Sequence, residues 1–156
     1  MIIHKDQRVG IFIDIQNLYH SSKNLYNARV NYKELVKNLL AGRRLIRAIA
    51  YVVKAEGVEG TTEVVPTGRE ASFFKALEEA GLELRMKDLQ VYHGGMKKAD
   101  WDVGMAVDSI ILAEKIDVAV LVTGDGDFVP LVEYLRISQG LKVEVISFAR
   151  STSSKL

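Results

Sequence analysis

The densest concentration of reactive side chains in the 156-residue sequence is "LVTGDGDFVP", Leu121–Pro130, where two glycines and two aspartates follow an apolar run. Gly124 and Gly126 begin a G-x-G-x-x-G pattern, but Val129 stands where the third glycine of a dinucleotide turn belongs. A pyrophosphate there would also meet Asp125 and Asp127. At ~4 Å and an effective dielectric of ~20, each like-charged pair costs ~4 kcal/mol. The turn therefore suits a cation, and no nucleotide cofactor is expected.

Two other stretches bring carboxylates to the same problem. Asp14 ends the apolar run "RVGIFID", and "KKADWD" supplies Asp100 and Asp102 at the start of a helical pattern. Oxygen donors with no imidazole or thiolate among them fit a hard cation, Mg²⁺ or Mn²⁺. Such an ion can activate water and steady the leaving oxygen of a phosphodiester. The expected arrangement has Asp14 and Asp125 as principal ligands, with Asp102 and Asp127 binding a second ion or ordering water. Plainer readings stand beside it: Asp127 as cap of a helix from Phe128, and Asp100 or Asp102 as cap of a helix from Val103.

Further residues are supporting candidates. Asn17 can orient a carboxylate, a water or a phosphate oxygen, or simply cap a helix. Lys98, with Lys97, is placed to meet a substrate phosphate or to be an ordinary loop lysine. Asp108 lies six residues after Asp102, ~120° away around a helix, so it supports the cluster from below or faces solvent. Trp101 is a base-stacking or packing residue. Arg43, Arg44, Arg47 and Arg69 are read first as surface charges, second as a rim that tracks a polyanion.

These residues need a scaffold that delivers them to one edge. Short apolar strands are expected at Arg8–Asp14, Leu45–Val53, Leu82–Met86, Asp117–Gly124 and Lys142–Phe148. Helices are expected over "NLYHSSKNLY", over "YKELVKNLLA" with Asn31 as cap and Gly42 as stop, over Glu70–Gly81, over Trp101–Ile116 and over Asp127–Gly140. In the fourth helix Val103, Val107, Ile110 and Ile111 are assigned to the inner side. Lys54–Glu70 reads as a glycine-rich loop, "LQVYHGG" as a short extended piece, and Asp117 as the turn before its strand. Alternating strands and helices imply a three-layer α/β/α sandwich around a mainly parallel sheet, Rossmann-like in topology. In such sheets sites form beyond the carboxyl ends of strands, at the switch in strand order.

Composition narrows the field further. Hydrophobic content of 48%, charged content of 26% and a net charge of +1 describe a globular chain with no global basic field. The absence of cysteine excludes disulfides, thiolate metal sites and a cysteine nucleophile, and His4, His20 and His93 lack metal-ligand spacing. No run reaches the roughly 20 apolar residues of a membrane span, so no membrane is expected. Ser154-Lys155-Leu156 matches a peroxisomal address, but three residues match easily by chance, and cytoplasm is preferred.

Taken together, "VGIFIDIQNLYHS", "KKADWDVGMAVDSI", "VLVTGDGDFVPLVEYLRISQG" and "VEVISFARSTSS" resemble the NYN domain family, in its LabA-like branch, within the PIN-like nuclease superfamily. The pieces span nearly the whole chain in the right order. The resemblance implies a PIN-like sandwich and a metal-dependent ribonuclease site. Its acidic centre falls on Asp14, Asn17, Asp102, Asp125 and Asp127, and Asp108 also matches the motif. Where the family has a lysine-glycine pair, this chain has Lys98-Ala99, followed by Asp100 and Trp101. The family pattern continues past Ser154 into another helix. Residues 1–156 are therefore read as one NYN/PIN-like domain, short of that helix. The leading expectation is a Mg²⁺- or Mn²⁺-dependent ribonuclease with RNA as partner, and a homo-oligomer is allowed. The alternative is a non-catalytic RNA-binding or regulatory module that keeps the acidic pocket. A haloacid-dehalogenase phosphatase would need a second aspartate at Gln16, and a serine hydrolase would need a G-x-S-x-G elbow.

Overall fold

A computed structural model describes residues 3–18, 30–54, 67–88, 90–91, 97–98, 100–147 and 154–156. The elements are β1 (Arg8–Asp14), the helical turn α1 (15–18), α2 (Tyr32–Leu40), β2 (Arg44–Lys54), α3 (Thr67–Glu79), β3 (Glu83–Asp88), β4 (Gln90–Val91), β5 (Lys97–Lys98), α4 (Asp102–Leu112), β6 (Val118–Val122), α5 (Val129–Glu133) and β7 (Lys142–Ile146). Most of the first expected helix, most of the glycine-rich loop, Phe148 and Ser151–Ser153 lie outside the described residues.

Five strands form one sheet in the order β3-β2-β1-β6-β7, and every pairing is parallel. β1 and β6 occupy the centre because their runs are apolar on both faces: Val9–Ile13 and Val118–Val122 are buried throughout. Period-two alternation divides those side chains between two cores. Val9, Ile11, Ile13, Ala48, Ala50, Val52, Val118, Val120 and Val122 face α1, α2 and α3. Phe12, Ile49, Tyr51, Ala119 and Leu121 face α4 and α5. The expected three-layer α/β/α sandwich is thus the observed one. The chain leaves β1 toward β2 on one side and resumes at β6 on the other, so the switch point lies between β1 and β6.

Three local expectations are corrected. In α4 the buried residues are Met105, Ser109 and Leu112, whereas Val103 (76% exposed), Val107, Ile110 and Ile111 face outward. The helix is apolar almost all round, so pattern alone does not fix its rotation. Polar contacts fix it instead. Asp108 must meet Tyr51 and Arg85, and Ser109 is small enough to turn inward, donating its hydroxyl to the carbonyls of Met105 and Ala106. Second, α2 starts at the Asn31 cap, whose Oδ1 accepts from the Glu34 N–H at 3.2 Å, but it is Ala41 that first turns left-handed (φ 52), before Gly42 (φ 75). Third, the helix after the GDGD turn is segmented. A 3₁₀ turn (Gly126–Phe128) leads into α5 at Val129, and a π turn (Tyr134–Ser138) ends it before Gly140.

The sheet's amino end is locked by ion pairs. Arg43 is buried, and its guanidinium grips both oxygens of Glu144 at 2.8 and 2.9 Å while capping the Leu39 and Leu40 carbonyls. Glu144 is held below the usual carboxylate range by that guanidinium. Asp117 sits in the turn before β6, as expected, and accepts from the Arg8 backbone and guanidinium. Arg47 pairs with Glu83 at 2.8 Å. Arg43 and Arg47 are therefore spent in structural pairs; Arg43 immediately precedes β2, and Arg44 and Arg47 belong to its amino half, away from the carboxyl edge. The Arg69 side chain lies outside the described residues.

Candidate active site

At the switch point the backbone of β1 ends in Asp14, opposite Tyr51 of β2 and one residue beyond the last β1–β6 partner pair, Ile13 and Val122. Both Asp14 oxygens are engaged. Oδ1 accepts from the Asn17 N–H and Oδ2 from the Thr123 hydroxyl, each at 3.2 Å. The first of these bonds makes Asp14 the cap of α1. Thr123 in turn accepts from the Asp125 N–H at 3.2 Å, and Asn17 Oδ1 accepts from the Gly124 N–H at 3.0 Å. Asn17 and Thr123 thus staple the end of β1 to the loop after β6. The Asn17 amide oxygen is occupied by Gly124, so the role it shows is orienting that loop.

Beyond Thr123, Asp125 Oδ1 accepts from the Asp127 N–H at 2.9 Å and caps the 3₁₀ turn. The capping role expected of Asp127 thus belongs to Asp125, and the Asp127 carboxylate is left exposed. Asp102 is the first residue of α4 rather than its cap. It approaches from the third element, and its N–H donates to Asp100 Oδ1 at 3.4 Å. Among the described residues, Asp102, Asp125 and Asp127 each present a carboxylate oxygen within 4.8 Å of the other two. Asp14 falls outside that trio but is joined to it through Thr123.

The electrostatics follow from crowding. Burial pushes the Asp14 carboxyl up, against the opposing effect of its bonds from Asn17 and Thr123, and the charges of Asp125 and Asp100 push it further. Asp102 is raised to about 6, first by burial and then by Asp125, Asp100, Asp14 and Asp127. Five carboxylates therefore act on one another here, and an oxygen-only set under such repulsion fits a divalent hard cation.

Asp108 does not enter the cluster. Tyr51 donates its hydroxyl to Asp108 Oδ2 at 2.8 Å and Arg85 Nη1 binds both carboxylate oxygens at 2.5 Å. Burial and the Asp108 contact push the Tyr51 phenol well above its ordinary value. The Tyr51 ring packs against Trp101, their centroids 5.6 Å apart, so Asp108 bears on the site through the residue before Asp102. Trp101 is a packing residue: its Nε1–H donates to the Val52 carbonyl at 2.8 Å, and its ring lies over Gly104, where an added Cβ would come within 2.5 Å. Lys97 and Lys98 are backbone partners of Val91 and Gln90 in a small antiparallel pair, and their side chains lie outside the described residues.

Thr123 at the site, and Lys87, whose ammonium lies 4.8 Å from the Trp101 ring centroid, were not anticipated from sequence. Thr123 carries a weak signal, a hydroxyl directly before the GDGD turn. Lys87 carries only strand alternation with Arg85 in "ELRMKD".

The five-stranded parallel sheet between two helical layers is an α/β sandwich of PIN-like fold. The NYN domain model matches residues 8–156, and the chain belongs to the NYN domain family. It is 27% identical over 144 residues to the low amplitude and bright protein LabA of Synechococcus elongatus, covering 86% of this chain and 71% of that one. A Vibrio parahaemolyticus protein of unknown function superposes with a TM-score of 0.83 at 28% identity, over all of this chain and 90% of the other. A mutant of the T5 5′-exonuclease aligns with a TM-score of 0.50 at 17% identity, over 93% of this chain and 51% of that one. A T5 protein co-crystallised with metal ions gives 0.53 at 15%. These two likenesses concern the fold alone. No described helix is long and apolar enough to cross a membrane.

Proposed function

We propose that this protein is a divalent-metal-dependent ribonuclease whose acidic centre is Asp14, Asp102, Asp125 and Asp127. The observation that carries the reading is the carboxylate trio within 4.8 Å, formed by residues from two distant elements and left without a neutralising basic partner among the described ion pairs. Asp102, Asp125 and Asp127 would hold Mg²⁺ or Mn²⁺, with Asp14 completing the set from β1. When bound, the ion supplies a more acidic water and neutralises charge on the phosphate. The chain's own contribution is placement. Thr123 and Asn17 fix the Asp14 carboxylate against the Asp125 loop, and Trp101 anchors the start of α4 so that Asp102 faces the other acids. Asp100 adds negative charge behind Asp102 and tightens its demand for a cation. The reading keeps the protein in the cytoplasm with RNA as its substrate.

The test is degradation of a mixed-sequence RNA with Mn²⁺ by the wild type and by Asp14→Asn and Asp125→Asn. Removing either charge is expected to lower the rate by about 10²-fold or more, since most of the catalytic effect is charge neutralisation and positioning. Equal cleavage by wild type and both variants removes this mechanism. RNA binding without turnover in any divalent metal would instead favour a regulatory module.

A further inference from the structure

Around Trp101, the residue before Asp102, lies a line of cationic and aromatic surface built on the edge strand β3. Alternation along β3 puts Glu83, Arg85 and Lys87 on the side facing α4: Glu83 pairs with Arg47, Arg85 reaches Asp108, and Lys87 lies over Trp101. Arg85 and Lys87 are two residues apart, so they stand ~7 Å apart along the strand and lead toward its carboxyl end. The Lys87 ammonium is 4.8 Å from the Trp101 ring centroid and the Arg85 guanidinium carbon is 5.5 Å from it. Trp101 is joined by one peptide bond to Asp102.

Lys87 makes no ion pair among the described residues, although five carboxylates gather next to its aromatic support. Its ammonium is held by the ring through a partly exposed cation–π contact. Arg85 is anchored by Asp108 but leaves 46% of its side chain exposed. Arg43 and Arg47 are committed to Glu144 and Glu83. One narrow line of cations next to an aromatic face suits the backbone of one nucleic-acid strand, where a duplex would call for cations on two flanks.

We propose that Lys87 and Arg85, supported by Trp101, form the track along which the phosphate backbone of single-stranded RNA reaches the acidic centre from the β3 edge. This rests on the ribonuclease reading above and names the substrate form and its binding side.

The experiment is equilibrium binding of a fluorescein-labelled oligouridylate in EDTA, across a salt series, so that affinity is read without metal-dependent turnover. One lost phosphate contact on a single strand should lower the log–log salt slope by about 0.7. The expected result is that Lys87→Met weakens binding several-fold with that loss of slope, while Lys87→Arg restores both. Trp101 is the only tryptophan in the chain, so its emission should change on RNA addition in the wild type and respond less in Lys87→Met. Thermal unfolding of Lys87→Met at the wild-type temperature separates this effect from misfolding. A Lys87→Met protein with wild-type affinity and slope overturns the track, as does a wild type that fails to bind the probe at all. If RNA is then still degraded with Mn²⁺, the ribonuclease reading stands alone. Binding that depends on Lys87 with no degradation in any divalent metal keeps the track and removes the ribonuclease.

Discussion

Asp102 is where the charge crowding of the site becomes measurable. Its carboxyl is raised to about 6 by burial and by four neighbouring acids. A carboxyl whose folded value exceeds its unfolded value of ~3.9 binds a proton more tightly when folded, so its stabilising effect is full below ~3.9 and fades as pH rises through about 6. Asp14 shifts in the same direction. Asp117 and Glu144 shift the other way, and their contribution is lost only on acidification below the ordinary carboxylate range. In EDTA the melting temperature is therefore expected to fall from about pH 4 to just above about pH 6, with Asp102→Asn flattening that fall. On the proposed metal-binding role of the cluster, Mn²⁺ should raise the melting temperature more at the upper pH, where Asp102 is ionised. A Mn²⁺ effect independent of pH would contradict the assignment. The aspartates themselves were legible in the sequence because a charge at the end of a buried strand, or in pairs at a turn, demands an explanation. Thr123 and Lys87 were not. A hydroxyl and a strand lysine are ordinary residues until tertiary structure shows which carboxylate or ring each one meets.

Among the elements, α4 shows where pattern reading gives out. Its apolar residues surround the axis, and Val103, Val107, Ile110 and Ile111 were assigned inward; the structure turns them out and buries Met105, Ser109 and Leu112. The polar residues set the rotation, and a hydropathy pattern carries no information about their partners. Stability measurements should follow the observed face. Met105→Ala is expected to cost about 2–5 kcal/mol as a core truncation, and Val103→Ala to stay within about 0.5 kcal/mol. Comparable losses would mean the helix is turned as its hydropathy suggests. Gly104 is constrained for a different reason: a methyl there meets the Trp101 ring. Gly104→Ala should therefore move the ring and, through it, Asp102, lowering metal affinity more than it lowers the melting temperature. The strands were read closely because β1 and β6 are continuous apolar runs with sharp ends. The edge strand β3 is mostly exposed and was placed only approximately.

For the whole molecule, the decisive fact is that neighbours in the sheet are distant in the chain. All four strand pairings in the five-stranded sheet are parallel, and the bond from Thr123 to Asp14 spans 109 residues. Sheets closed by such contacts fold slowly, on the order of milliseconds to seconds, because loop closure must precede its reward. On dilution from denaturant, helical circular dichroism is expected to recover before protection by Mn²⁺ does; simultaneous recovery would argue against late assembly of the acidic centre. The strand order also bears on biosynthesis. A nascent chain that has emerged only as far as β3 exposes Asp14 with no Asp125 to meet it. The acidic cluster therefore assembles only after β6 and the loop that follows it have left the ribosomal exit tunnel.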